Sequence, residues 1–241
     1  MKDMKYLGAC LRSVEAQTRK PDMVIVGLSN VTDPTIVQNP YPALSVPIEF
    51  ITSPETIHPG GNRNRAAAVA EKRGADILSF FDSDDIMHPE RIERVEKLFE
   101  SHPDFTAVLH NYMVGQKGNM GIYEGTVPIP WRPLTGEYIR DPYTSHFSAG
   151  HLWPHFQDHL KSSKRPEGNG GTQFGHITVR SSYWLTNPYF EGVGPYGYSE
   201  DSHFAAGIVQ KHYPIGYIPD ILCLYQRVEF GDAFHIGIPS K

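Results

Sequence analysis

The sequence predicts a mixed α/β fold, a mainly parallel sheet flanked by helices in a single domain, on three observations. Short, nearly uniform apolar runs stand at residues 23–28 and 75–81, the pattern of strands covered on both faces. Segments with helical apolar spacing alternate with these runs through the first half, joined by short links. A chain of 241 residues with 39% hydrophobic content is long enough to bury one sizeable core.

Taken in order, Leu7, Leu11 and Val14 recur at helical spacing, and Pro21-Asp22 closes a helix over residues 6–17. The run MVIVGL is the first strand, and residues 48–52 form a short second one. After the Pro59-Gly60-Gly61 turn, an Ala-rich helix over 62–73 is ended by Gly74. The strand ADILSFF leads directly into Asp82, Ser83, Asp84 and Asp85. Pro89 suits a first helical position, Glu90 and Glu93 favour the positive end of the helix dipole, and Ile92, Val95 and Leu98 share a face. A third strand is predicted at 106–112. Between 114 and 174 periodicity disappears under Pro, Gly, Trp, Tyr and His, which marks a functional loop region. Regular signals resume with HITVR, a helix over 202–211 and one or two strands over 215–225.

Composition excludes several partners. The net charge is -5 with no long Lys or Arg run, so neither nucleic acid nor an anionic membrane surface is expected. No stretch approaches the ~18 apolar residues of a transmembrane segment, and the N-terminus lacks a signal-peptide core. Two cysteines, Cys10 and Cys223, lie in apolar segments and read as buried thiols in a reducing, cytoplasmic setting.

Two acidic clusters carry chemistry. Three carboxylates within Asp82–Asp85 repel one another, so they call for a cation, protons or solvent. At the carboxyl end of a buried strand, hard oxygen ligands suit Mn2+ or Mg2+. An acidic turn capping the next helix would look the same locally. The second cluster, Glu200-Asp201, precedes an apolar helix, where a carboxylate serves as a proton acceptor or simply complements the dipole. Arg63 and Asn64 are candidates to reach a phosphate or a sugar. Trp131, Tyr138, Tyr143, Trp153 and Phe156 offer aromatic faces to a carbohydrate acceptor or pack in the core. His151, His155 and His159 share a helical spacing that Pro154 interrupts, and no Cys or carboxylate completes a zinc set.

Three blocks together resemble family 2 glycosyltransferases: LGACLRSVEAQTRKPDMVIV, GGNRNRAAAVAEKRGAD and ADILSFFDSDDIMHPERIERVEKLF. The resemblance implies a GT-A fold, with residues 1–112 as the nucleotide-sugar-binding half and 113–241 as the acceptor-binding and catalytic half. It implies that Asp84 is a metal ligand, that Asp82 supports the metal or the nucleotide ribose, and that Ser83 belongs to the same DxD motif. It further implies Asp201 as general base beside Glu200, and His235 as a late metal or pyrophosphate ligand, with His212 as its competitor. The activity implied is inverting, metal-dependent transfer from a nucleotide-sugar donor to a carbohydrate or other hydroxyl acceptor. A nucleotidyltransferase would need a Gly-rich basic phosphate loop, which the N-terminal region lacks, and a catalytically silent relative would bind without turnover.

The sequence departs from the family pattern at two places. Family members open with a strand, whereas here only residues 1–5 precede the first helix, as if the chain were shortened or the strand came from elsewhere. The acidic residues that follow the family's second strand are replaced by Gly27, Leu28, Ser29 and Asn30, leaving Ser29 and Asn30 to hydrogen-bond a base.

Overall fold

A computed structural model describes residues 4–33, 44–115, 127–140, 169–172, 174–192 and 200–225. Helix α1 (Met4–Glu15) begins and ends two residues earlier than the spacing predicts. It buries side chains nearly all round because it has two partners. Leu7 and Leu11 pack on Val26, while Tyr6 and Ala9 pack on Ile86 and Leu224.

Those partners belong to separate sheets. Strand β1 (Val24–Leu28) pairs in parallel with β2 (Ile48–Thr52), and the two form a sheet of their own. The expectation that β1 is covered on both faces is not met, since only Val26 is fully buried. An apolar run signals burial only when the sheet around it is wide, and here the sheet has two strands.

Helix α2 (Pro59–Lys72) starts three residues before the expected Asn62, so the Pro-Gly-Gly segment is its first turn. Pro is pre-set for that position and lacks only an N–H that would go unused. The two glycines answer a packing demand. A Cβ on Gly60 would fall 2.1 Å from the Phe190 carbonyl oxygen, and one on Gly61 would fall 2.7 Å from Ile57 Cγ2. At the other end Gly74 takes a positive φ of 82°, the helix-ending conformation expected of it.

The larger sheet runs β3 (Ile77–Ser79), β8 (Thr178–Arg180), β5 (Ala107–Val114), β9 (Ile215–Tyr225) and β4 (Ile86–Met87). Strand β6 (Ile139–Arg140) pairs with β9, and β7 (Asn169–Thr172) with β5, so the stretch expected to be irregular contributes two short strands. The long β5–β9 pairing is parallel, with Ala107 opposite Ile215 and Val114 opposite Tyr225, and the short strands around it are antiparallel. Alternation along β5 divides the core. Ala107 and Leu109 join Leu78, Val179 and Ile208 on one face, and Val108 joins Val95, Phe99, Ile218 and Leu222 on the other.

Helix α3 (Arg91–Ser101) lies on the second face, α4 (Ser181–Thr186) and α5 (Glu200–Gln210) on the first. The buried stripe of α3 is Arg91, Val95, Leu98 and Phe99, so Arg91 takes the place that apolar spacing alone gives to Ile92. Among the described residues no helix is long and apolar enough to cross a membrane.

Candidate active site

Strand β3 delivers the chain into a tight turn at residues 82–85, closed by the Asp85 N–H donating to the Asp82 carbonyl at 3.2 Å. Helix α1 and the segment just after it brace the residues that follow. Gln17 donates to the His88 carbonyl at 2.8 Å and accepts from the Ile92 N–H at 3.0 Å, and Ser13 Oγ accepts from the Met87 N–H at 3.1 Å. The acidic turn therefore has little freedom to relax away from its own charge.

Arg91 supports it from beneath. Fully buried, its guanidinium donates to His110 Nε2 and Ser79 Oγ, both at 2.9 Å, and to the His176 carbonyl at 2.8 Å. Burial among neutral acceptors pulls its pKa down to about 10, so it stays charged at neutral pH.

Arg63 joins the two acidic clusters. One guanidinium nitrogen donates to Asp82 Oδ1 at 2.5 Å and the other pairs with Glu200 Oε1. Residues 82 and 200, on β3's exit turn and the first turn of α5, are thus held by one side chain. Space for it depends on Gly175, where a Cβ would fall 2.5 Å from Asp82 Oδ2 and 3.3 Å from Arg63 Nη2.

The electrostatics divide the carboxylates. For Asp82, burial raises the pKa but the charge and hydrogen bond of Arg63 outweigh it, so the group sits below the ordinary value and is ionised. For Asp84 the balance goes the other way: burial, then the charges of Asp85 and Asp82, push it up to about 7. A cluster with one carboxylate half-protonated at neutral pH has room for one more positive charge.

Asp85 and His176 stand where that charge would be shared. Ligand atoms of Asp82, Asp85 and His176 lie within 4.8 Å of one another, and both Asp85 and His176 are fully buried. His176 Nε2 approaches Asp85 Oδ2 at 2.8 Å and Asp82 Oδ2 at 3.8 Å, without the alignment of a hydrogen bond. Burial lowers the His176 pKa to about 3, so the imidazole is neutral, as a metal ligand must be. Its ring stacks on Phe81 at 4.1 Å, and its Nδ1 lies 3.0 Å from Cys223 Sγ. A neutral nitrogen beside two carboxylates is a donor set that a first-row divalent ion accepts.

Other expected site residues fall out variously. Ser83 is exposed at the tip of the turn and Asp84 is half-buried beside it. Asn64 is buried, and its amide is consumed in packing. It donates to the Tyr189 carbonyl and to Glu191 Oε1, both at 2.8 Å, and accepts from Trp184 Nε1 and the Tyr189 N–H. Ser29 Oγ donates to the Ile57 carbonyl at 3.2 Å, and Asn30, at a positive φ of 57°, bonds through its N–H to Glu55. Asp201 follows Glu200 in the first turn of α5. Trp131 stands edge-on to His88, and Tyr138 packs on His102 and Phe105. His212 closes α5 at a positive φ of 54°. Tyr143, His151, Trp153, His155, Phe156, His159 and His235 lie outside the described residues.

His176, Arg91 and Tyr189 are the residues that sequence reasoning passed over. Arg91 carried a usable signal, because it precedes Val95 and Leu98 by four and seven positions and so shares their face. His176 carried a faint one, a Gly-His step at the entry to an apolar strand.

Comparison with known proteins gives the family and the fold. The sequence matches glycosyl transferase family 2 over residues 3–162, and the chain belongs to that family. No curated protein matches it significantly. Among solved structures, S. aureus TarS 1-349 in complex with UDP aligns with a TM-score of 0.56 at 16% identity, covering 93% of this chain and 57% of that one. Full S. aureus TarS aligns with a TM-score of 0.53 at 15% identity, over 93% of this chain and 35% of that one. A mycobacterial protein aligns with a TM-score of 0.54 at 14% identity, over 91% and 63%. The chain thus spans less than two thirds of these neighbours, and at such identity they share its GT-A fold.

Proposed function

We propose that this family 2 chain is an inverting, metal-dependent glycosyltransferase, moving a sugar from a nucleotide-sugar donor to a carbohydrate or other hydroxyl acceptor. The observation that carries the reading is the Arg63 bridge. It brings the acidic turn after β3 and the acidic start of α5 to the two ends of one guanidinium, although Asp82 and Glu200 stand far apart in the chain. One carboxylate group can then face the donor's diphosphate while the other faces the acceptor.

In this reading Asp201 takes the proton of the acceptor hydroxyl as its oxygen attacks the anomeric carbon. The bond from that carbon to the diphosphate breaks, and the nucleotide leaves with the electron pair on the opposite face. Glu200, fixed by Arg63, orients the acceptor. Asp84 and Asp82 would hold the Mn2+ or Mg2+, with Asp85 and His176, whose ligand atoms cluster with that of Asp82, as further ligands and His235 as a late one. When bound, the ion neutralises charge on the departing diphosphate. Arg63 and Ser83 form the wall on the donor side, Asn64 supports that wall from within through its bonds to Tyr189, and Ser29 and Asn30 face the base. Residues 1–112 serve the donor and 113–241 the acceptor. Because a structurally similar TarS fragment is recorded with UDP, uridine nucleotides are the first to test. Two buried free thiols, Cys10 and Cys223, favour a cytoplasmic location.

The test is nucleotide release from a panel of nucleotide-sugars with Mn2+ and simple glycoside acceptors. Asp201→Asn should lower turnover by roughly 10²–10⁴-fold, the usual worth of a general base. Asp84→Ala should lose metal-dependent turnover. Undiminished activity in both variants would sink the proposal.

A further inference from the structure

Tyr189 is locked in place at every point except its hydroxyl. Its backbone is held on both sides by Asn64, which accepts from the N–H at 2.9 Å and donates to the carbonyl at 2.8 Å. Its ring stacks on Phe204 at 3.9 Å with planes 11° apart, and meets Phe80 edge-on at 4.9 Å. A phenylalanine would satisfy all of this. Yet the chain places a hydroxyl there, 2% exposed as a residue and with no hydrogen-bond partner for its oxygen among the described residues. Leaving a buried donor unpaired costs stability, so an orphan of this kind is explained best by a partner that arrives later.

The surroundings say what that partner is. Arg63 lies over the ring, its guanidinium 5.4 Å from the centroid, and the charges of Arg63, Asp201, Asp82 and Glu200 all act on the hydroxyl. Burial holds the phenol well above its ordinary pKa, so it remains a proton donor. The carboxylates among these groups are acceptors, so they call for a ligand that brings its own O–H groups. A sugar hydroxyl fits both demands, since it donates to a carboxylate and needs a donor for its oxygen.

We propose that the Tyr189 hydroxyl donates a hydrogen bond to a hydroxyl oxygen of the sugar moiety of the bound nucleotide-sugar. The assignment rests on the glycosyl-transfer reading given above. Arg63 is the side chain that yields to admit the sugar, because any cation at Asp82 competes for its partner.

The experiment compares wild type with Tyr189→Phe in two measurements. Thermal unfolding without ligand should show the variant as stable as wild type or more so, because an unpaired buried hydroxyl has been removed. Calorimetric titration in Mn2+ with UDP-glucose, UDP-N-acetylglucosamine and GDP-mannose, each beside UDP or GDP alone, reads the ligand contact. The variant should bind the preferred nucleotide-sugar about five- to tenfold more weakly, the worth of one hydrogen bond, and the free nucleotide unchanged. Equal affinity for the nucleotide-sugar overturns the assignment. So does an equal loss for the free nucleotide, which would put the hydroxyl on phosphate, and so does a lowered melting temperature, which would mean that it already has a structural partner. A wild type that binds none of these nucleotide-sugars overturns the glycosyl-transfer reading, and this assignment with it.

Discussion

Asp84 holds a proton in the folded chain that it would release when unfolded, since its pKa moves from 3.8 to about 7. For a raised carboxylate the sign is fixed: the associated stability is complete below pH ~4 and is lost as pH rises to about 7. With chelator present, Asp84→Asn should therefore raise the melting temperature at pH 7 by roughly 2–4 °C, the shift expected of about 1 kcal/mol in a chain this size. The gain should shrink towards pH 4. Added Mn2+ should reverse the order at pH 7, because only the native carboxylate gains from the ion. A pH-independent difference, unmoved by metal, would show that the Asp84 charge is not opposed by its neighbours. At this scale the sequence was half legible. Like charges at 82–85 and 200–201 announce themselves by adjacency, whereas nothing local to Arg63 distinguishes an exposed helix-start arginine from one buried between two carboxylates. His176 and Tyr189 matter only through residues far away in the chain, and no spacing rule reaches them.

Among the elements, α3 shows most clearly how a polar residue can sit on an apolar face. Arg91 lies at the start of the Val95–Leu98 stripe and reaches across the sheet edge to His110, Ser79 and the His176 carbonyl. Arg91→Ala would leave a cavity and several buried acceptors without a donor, and should cost about 3–5 kcal/mol in denaturant unfolding. A loss under about 1 kcal/mol would mean that burying the guanidinium costs nearly as much as its bonds return. Element boundaries were read less well than element types. Helix α2 is expected from Asn62 because a Pro-Gly-Gly segment reads as a turn by composition, yet it begins at Pro59, and its glycines answer to the Phe190 carbonyl and Ile57, neighbours that only the fold supplies. Strand β1 was read as doubly covered because apolar composition reports what a strand tolerates, and the width of its sheet is a property of the assembled chain.

Across the molecule, the α/β class was legible from alternation alone, but the division into two sheets was not. Strand β5 has hydrogen-bonded neighbours on both sides, β8 and β9, whereas among the described residues β1 pairs only with β2. The small sheet should open without the large one. Hydrogen exchange should then show the Val26 amide protected at least about tenfold less than that of Leu109, and matching protection would mean that the sheets open as one unit. The Arg63 bridge works in the other direction, making distant parts answer to each other. One guanidinium is shared by two carboxylates, so whatever cation occupies Asp82 changes how much of that charge Glu200 receives. By thermodynamic reciprocity, a ligand that engages Glu200 must alter the cation's affinity at Asp82 by the same factor. Ligand occupancy at Asp82 and at Glu200 would then be a single linked equilibrium, with Arg63 as the variable they hold in common.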